Sequence, residues 1–177
     1  MRILSVDVSV NFVGWSLFDS KRINPHKQWK WGTIIVEGDN YQKRLLDIVQ
    51  MLNETVNLPT IDHLITEWPT FFASERGQIA AHQNYTIDLA GVCAFIAGRM
   101  GFDHRNWHLL TATTWKGSVS KYITGKRFFR IFGLRDQDIS EHAIDATMML
   151  RYWLIHYGPA AFQRADEDFP ESPLLRF

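Results

Sequence analysis

Residues 3–19, ILSVDVSVNFVGWSLFD, carry the reading of this chain. Arg2 to Asp7 is a short run of β-type residues ending in a carboxylate, and Phe12 to Phe18 is a second run. The residues around Ser9 to Asn11 must turn the chain between them, which predicts a hairpin. Working outward, Gln28 to Val36 holds Trp29, Trp31, Ile34 and Val36 between the breakers Asn24-Pro25 and Gly38-Asp39-Asn40. This is the pattern of a third strand, so three antiparallel strands form the expected opening.

Beyond them the hydrophobic period changes. From Tyr41 to Val56, Leu45, Ile48, Val49 and Leu52 recur at three- and four-residue spacing behind a cap at Asp39 or Asn40, which predicts an amphipathic helix. After Pro59, the residues Ile61, His63 and Ile65 alternate with Asp62, Leu64 and Thr66. They form a predicted fourth strand that ends at Glu67-Trp68-Pro69, with a second carboxylate at a strand end. Residues 78–100 contain Ala80, Ala81, Ala90, Gly91, Ala94, Ala97 and Gly98, which suits a long helix that a neighbour approaches closely. Asn106 to Leu110 reads as a fifth strand, and Ile139 to Tyr157 as a last helix with Ile144, Met148 and Ile155 on its core stripe. The order βββαβαβ(α)α describes an α/β protein with helices on a mixed sheet.

The chain has 177 residues, enough for one domain with a sizeable core and too few for two ordinary ones. Hydrophobic residues at 46% and charged residues at 21% exclude disorder, collagen and coiled coil. Lys+Arg and Asp+Glu both total 19, so the net charge of +0 gives no global attraction for nucleic acid. The single cysteine, Cys93, lies in an apolar run and has no partner for a disulfide within the chain, which fits a reducing cytoplasm. The apolar stretch from Leu89 to Gly98 falls short of the ~18 residues of a membrane span, and Asp7 interrupts any signal-peptide reading. A cytoplasmic, unexported chain without a membrane partner is expected.

Three acidic positions stand out. Asp7, at a strand end facing a turn, is either a turn cap or a metal ligand. Glu67 closes a strand that should be central, where an unpaired carboxylate costs several kcal/mol, so a cation is expected beside it: an Arg or Lys, or a metal. On the last helix Asp138, Glu141, His142 and Asp145 are all candidate ligands, and at 100° per residue Asp145 projects between Glu141 and His142. Acidic residues also complement a helix N-terminus, which accounts for the first turn but not for Asp145, a full turn inside. Three carboxylates from two strands and a helix are what phosphoryl transfer with magnesium requires, because hard oxygen ligands hold Mg²⁺ and the protein mainly fixes geometry.

These residues resemble the RuvC-type Holliday junction resolvases of the RNase H-like nuclease superfamily, in particular the short phage-type forms. The resemblance spans most of residues 1–157: ILSVDVSVNFVGWSLFD at 3–19, the Arg44-Leu45-Leu46 helix leading to HLITEWPTFF at 63–72, the Gly91-containing helix, TTWKG at 113–117 and EHAIDATMML at 141–150. The elements D-x-S-x-x-x-x-G-W and H-x-x-D carry it, and their order is more specific than either alone. The resemblance implies an RNase H-like fold, a mixed five-stranded sheet flanked by helices, over residues 1–157; residues 158–177, Pro-containing and acidic around Asp166-Glu167-Asp168, read as a tail packed on or near that domain. It implies a crossover junction endodeoxyribonuclease that cleaves branched DNA such as four-way junctions, for DNA recombination and repair, in a bacterial or phage-infected cytoplasm. Asp7, Glu67 and Asp145 are then the catalytic ligands of Mg²⁺, with Mn²⁺ as substitute. His142 stands where many relatives have Asp and is a ligand or a proton shuttle, with Glu141 as the substitute ligand. Val8-Ser9 replaces the usual Pro-Gly after the first Asp.

DNA binding directs attention back to charge. Between His104 and Arg135 stand Arg105, Lys116, Lys121, Lys126, Arg127, Arg130 and Arg135, with no Asp or Glu. Lys116, Lys121, Lys126 and Arg127 are the candidate phosphate contacts. Trp107, Trp115, Tyr122, Phe128 and Phe129, interleaved among them, stack on bases or fill the core. The resemblance adds Phe71, Phe72 and Arg76 as a substrate-contacting loop and implies a twofold homodimer that spans the junction. A module of the same fold that binds junctions without cleaving them is the alternative. An actin-like phosphotransferase would also open on an Asp-bearing strand, but its Gly-rich phosphate loops are missing.

Overall fold

The strand Arg2–Val8 (β1) lies at the centre of the sheet, and its alternation sorts the whole molecule into two layers. Leu4 and Val6 enter one core cluster, and Ile3 enters the other on the opposite face. The computed structural model of the chain describes residues 1–9, 11–22, 25–38, 40–69, 85–134 and 138–159. β1 pairs antiparallel with Phe12–Asp19 (β2), which pairs antiparallel with Trp29–Ile35 (β3). On its other side β1 runs parallel to His63–Glu67 (β4), and β4 runs parallel to Trp107–Leu110 (β5). The order β3-β2-β1-β4-β5 is the mixed five-stranded sheet that the sequence predicts.

The helix α2 (Tyr41–Val56) and the helix α3 (Tyr85–Arg99) cover one face, where Ile48, Leu52, Val92 and Ile96 meet Leu4, Val6, Val13 and Leu64. Asn40 caps α2 by accepting from the Lys43 N–H at 2.9 Å. The opposite face carries α6 (Glu141–Tyr157), whose Met149, Leu150, Trp153 and Leu154 pack on Ile3, Phe18 and Ile65. Three short or basic helices complete the description: α1 (Pro25–Gln28), α4 (Ala112–Trp115) and α5 (Lys121–Ile131).

Several boundaries differ from the sequence reading. Gln28 closes α1 and is not the first residue of β3. Residues Leu58–Thr60 form a 3₁₀ turn, and the Asp62 carboxylate accepts from the Arg2 N–H at 2.6 Å, so β4 begins at His63 and not at Ile61. The expected cap Asp39, the start of the long helix at 78, Arg135, the loop residues Phe71, Phe72 and Arg76, and the tail from 160 lie outside the described residues.

Small residues let α6 approach the sheet. Ser5, Gly14 and Ser16 lie under it: both serines are fully buried, and a Cβ at Gly14 would come within 2.1 Å of the His142 carbonyl carbon and oxygen. Ser140 caps α6 by accepting from the Ala143 N–H at 3.2 Å, and its hydroxyl also hydrogen-bonds that of Thr33 on β3. The N-terminus of α6 is thus fixed over β2 and β3, beside the end of β1. Among the described residues, no helix is long and apolar enough to cross a membrane.

Candidate active site

Strand period, register and the small-residue floor under α6 combine to build one cluster. Asp7 follows Ile3 and Ser5 on the α6 face of β1, and Glu67 follows His63 and Ile65 on the same face of β4. The parallel register pairs Ser5 with Ile65 and Val6 with Thr66, so Asp7 and Glu67 come next on neighbouring strand ends. Helix α6 starts over Gly14, itself the register partner of Asp7, and turns His142 and Asp145 toward them.

The Nδ1 atom of His142 lies 2.7 Å from Asp7 Oδ2, with side chains 24% and 14% exposed. The hydrogen bond to Asp7 raises the histidine's pKa, against the opposing effect of its burial. When the imidazole is neutral and Nδ1 donates to Asp7, Nε2 is left as an acceptor. Phe12 stacks on the imidazole at a centroid distance of 6.0 Å and an interplanar angle of 11°.

Asp145 is 9% exposed and takes both of its hydrogen bonds from Lys116, whose Nζ lies 3.1 Å from Oδ1 and 2.8 Å from Oδ2. Burial raises its pKa in spite of that ammonium. Glu67 is pushed up to about 7, first by burial and next by the charge of Asp7, with Asp145 adding to the effect. Among the described residues no Arg or Lys forms a salt bridge with Glu67, although the charge of Lys116 lies near enough to oppose the rise. Glu67 Oε2 accepts instead from the Trp115 indole N–H at 2.9 Å, because the chain after β5 folds back as α4 over the end of β4. Below it, the Cys93 thiol donates to the Glu67 carbonyl at 3.6 Å and is pushed up to about 12 by burial, the inert thiol expected from an apolar run.

This donor set fits a hard divalent cation in its chemistry: carboxylates that raise one another's pKa, one imidazole, and a lysine ammonium already placed on one acid. Among the described residues no three of these side chains close on a single point; Lys116 engages Asp145, and Trp115 engages one oxygen of Glu67.

The other sequence candidates divide. Glu141, the substitute ligand, pairs with Lys121 at 2.9 Å on the exposed surface. Lys126 is exposed and lies over the Tyr122 ring at 4.3 Å from its centroid, and Arg127 follows it on α5. Phe128 is fully buried against Trp31 and Phe132, so it belongs to the core. Trp115 and Phe12 are site neighbours that sequence reasoning missed. The one available signal was that a buried Trp N–H needs an acceptor.

No protein-family model matches the sequence, and no match was found among curated proteins. Solved structures do match. The T. thermophilus RuvC in complex with Holliday junction substrate superposes with a TM-score of 0.60 at 11% identity, covering 89% of this chain and 97% of that one. A Thermus thermophilus RuvC structure gives 0.56 at 13% identity, covering 86% and 95%, and the yeast mitochondrial Holliday junction resolvase Ydc2 gives 0.56 at 12%, covering 92% and 83%. The chain therefore has an α/β fold of the RNase H-like class. Within that class it has the architecture of the RuvC-type resolvases, a likeness of fold at these identities.

Proposed function

We propose that the chain is a metal-dependent endonuclease that cleaves branched DNA, with four-way junctions as its substrate class. The observation that carries this reading is the gathering of Asp7, Glu67, His142 and Asp145 from two neighbouring parallel strand ends and one helix. Asp7, Glu67, Asp145 and His142 would hold Mg²⁺, or Mn²⁺ in its place. When bound, such ions lower the pKa of water and neutralise charge on a phosphodiester.

The chain's own residues would orient and exchange protons around that chemistry. Asp7 fixes the ring of His142 through Nδ1, and Phe12 fixes its plane, which leaves Nε2 as a ligand or as the acceptor for a proton leaving water. Trp115 and Lys116 hold the other two acids. Lys121, Lys126 and Arg127 on α5 supply positive charge for phosphates, with Tyr122, 68% exposed, as a surface on which a base can stack. Lys116 joins them once it leaves Asp145. Phe71, Phe72 and Arg76 follow Glu67 in sequence and are proposed as contacts near the branch point.

Branched DNA is the choice of substrate because one protein of the same fold, the T. thermophilus RuvC, was solved with a Holliday junction substrate. Paired, symmetric cuts require two sites related by a twofold axis, so a homodimer is part of the reading. A panel of junction, fork, flap and duplex DNA with Mg²⁺ and with Mn²⁺ tests it. Metal-dependent nicks in the junction and little cutting of duplex are expected. Tight binding with no cleavage of any branched DNA would favour a non-catalytic junction-binding module instead.

A further inference from the structure

Two consecutive residues supply the partners of two carboxylates that come from different elements. Trp115 ends α4 and is 6% exposed, with its indole N–H on Glu67 Oε2 at 2.9 Å. Lys116 follows it and puts Nζ 2.8 and 3.1 Å from the oxygens of Asp145, where both side chains are 12% exposed. The segment is set for this. Thr111 caps α4 by accepting from the Thr114 N–H, and Gly117 takes φ +60, which turns the backbone immediately after Lys116. The Lys116 ammonium also lies 5.2 Å from the Trp115 ring centroid, so the two side chains are in contact with one another.

We propose that Trp115 and Lys116 are a positioning pair for the metal site: Trp115 orients Glu67 toward a divalent cation, while Lys116 holds Asp145 in the cation's place and is displaced when one binds. This rests on the reading of the cluster as a Mg²⁺ site. A buried carboxylate needs a positive neighbour to remain charged, and Lys116 is that neighbour until a stronger one arrives. The lysine occupies both oxygens of Asp145, and an ammonium and a dication repel at contact distance, so pairing and loading exclude one another. The indole N–H has no such conflict. It engages one oxygen of Glu67 and leaves the other for a cation. Neighbours in sequence therefore act on metal affinity with opposite sign.

Calorimetric titration with Mn²⁺ tests this on the wild-type chain, Trp115→Phe and Lys116→Met. Trp115→Phe keeps the ring and removes the donor, and should weaken binding about tenfold, as loss of a ligand's orienting partner does. Lys116→Met should tighten it several-fold. Two weakened variants, the result of a merely structural role, would overturn the proposal. Amine-selective labelling of the wild-type chain, read by mass spectrometry, separates displacement from a simple change of charge. Lys116 should be protected without metal and reactive with Mn²⁺; equal protection in both states would overturn the proposal even if the variants fail to fold. A wild-type chain that binds no Mn²⁺ overturns the metal reading itself, whereas metal binding without these shifts overturns only the roles of the pair.

Discussion

Gly14 lies against the backbone of His142, so closely that a Cβ there would stand 2.1 Å from the carbonyl carbon and oxygen and 2.7 Å from the Ala143 nitrogen. The contact sets the height of α6 over the sheet, and with it the 2.7 Å approach of His142 to Asp7. Since the clashing atoms are backbone, no side chain can move aside. Gly14→Ala should cost at least about 1–3 kcal/mol of stability, and it should weaken metal binding beyond that loss because His142 is lifted away from Asp7. Denaturant unfolding and a Mn²⁺ titration would check both; a stable variant with unchanged metal affinity would contradict the packing argument.

Glu67 supplies a pH dependence of defined sign. Its pKa rises from an ordinary 4.5 to about 7 in the fold, chiefly by burial, so the folded chain holds the proton more tightly than the unfolded chain. Stability then falls as pH rises from about 4.5 to about 7 and is level above that. In the absence of metal, Glu67→Gln should stabilise the chain by on the order of 3 kcal/mol at pH 8 and hardly at all near pH 4. Urea titrations at the two pH values are the measurement, and an equal effect at both would rule out ionisation as the cause.

The histidine pair on the α6 face of β4 and β5 has the opposite slope. His63 Nδ1 and His108 Nε2 are 3.1 Å apart under Trp153, and burial, followed by the charge of His63, lowers His108 from 6.5 to about 4. The unfolded chain takes up this proton first, so stability should drop as pH falls from 6.5 to about 4. His108→Gln should flatten that part of the profile. If the variant and the wild-type chain lose stability in parallel across that range, His108 is not responsible.

Lys126 is exposed on α5 beside Tyr122 and distant in role from the acids. A phosphate contact carries no sequence information, so Lys126→Ala should weaken binding of junction and duplex alike and reduce the slope of log affinity against log salt by about 1. Fluorescence anisotropy at several salt concentrations would measure it. An unchanged slope would remove Lys126 from the interface.

The strand arrangement was legible because period 2 and the breakers are local signals: Arg2 to Asp7, Phe12 to Phe18 and the run ending at Glu67 are each a short apolar run with a punctuated end. The same alternation put Asp7 and Glu67 on strand ends, and helical spacing put His142 and Asp145 together. What the acids touch was not legible. Trp115 on Glu67 and Lys116 on Asp145 are contacts across 48 and 29 residues, set by how the chain folds back after β5, and no local pattern encodes that return. For the same reason Phe12 read as a strand residue and not as the ring stacked on His142. The neutral composition concealed the basic α5, because net charge sums over faces that the fold separates.

The most direct test of a metal-dependent junction nuclease is cleavage of a synthetic four-way junction by the wild-type chain and by Asp7→Asn, in Mg²⁺, with binding measured on the same DNA. Asp7 combines the two roles the account gives the site, ligand and partner of His142. The wild-type chain should nick the junction, and Asp7→Asn should bind it nearly as well and not cut. Cleavage retained by Asp7→Asn, or a wild-type chain that leaves the junction intact in both Mg²⁺ and Mn²⁺, would contradict it.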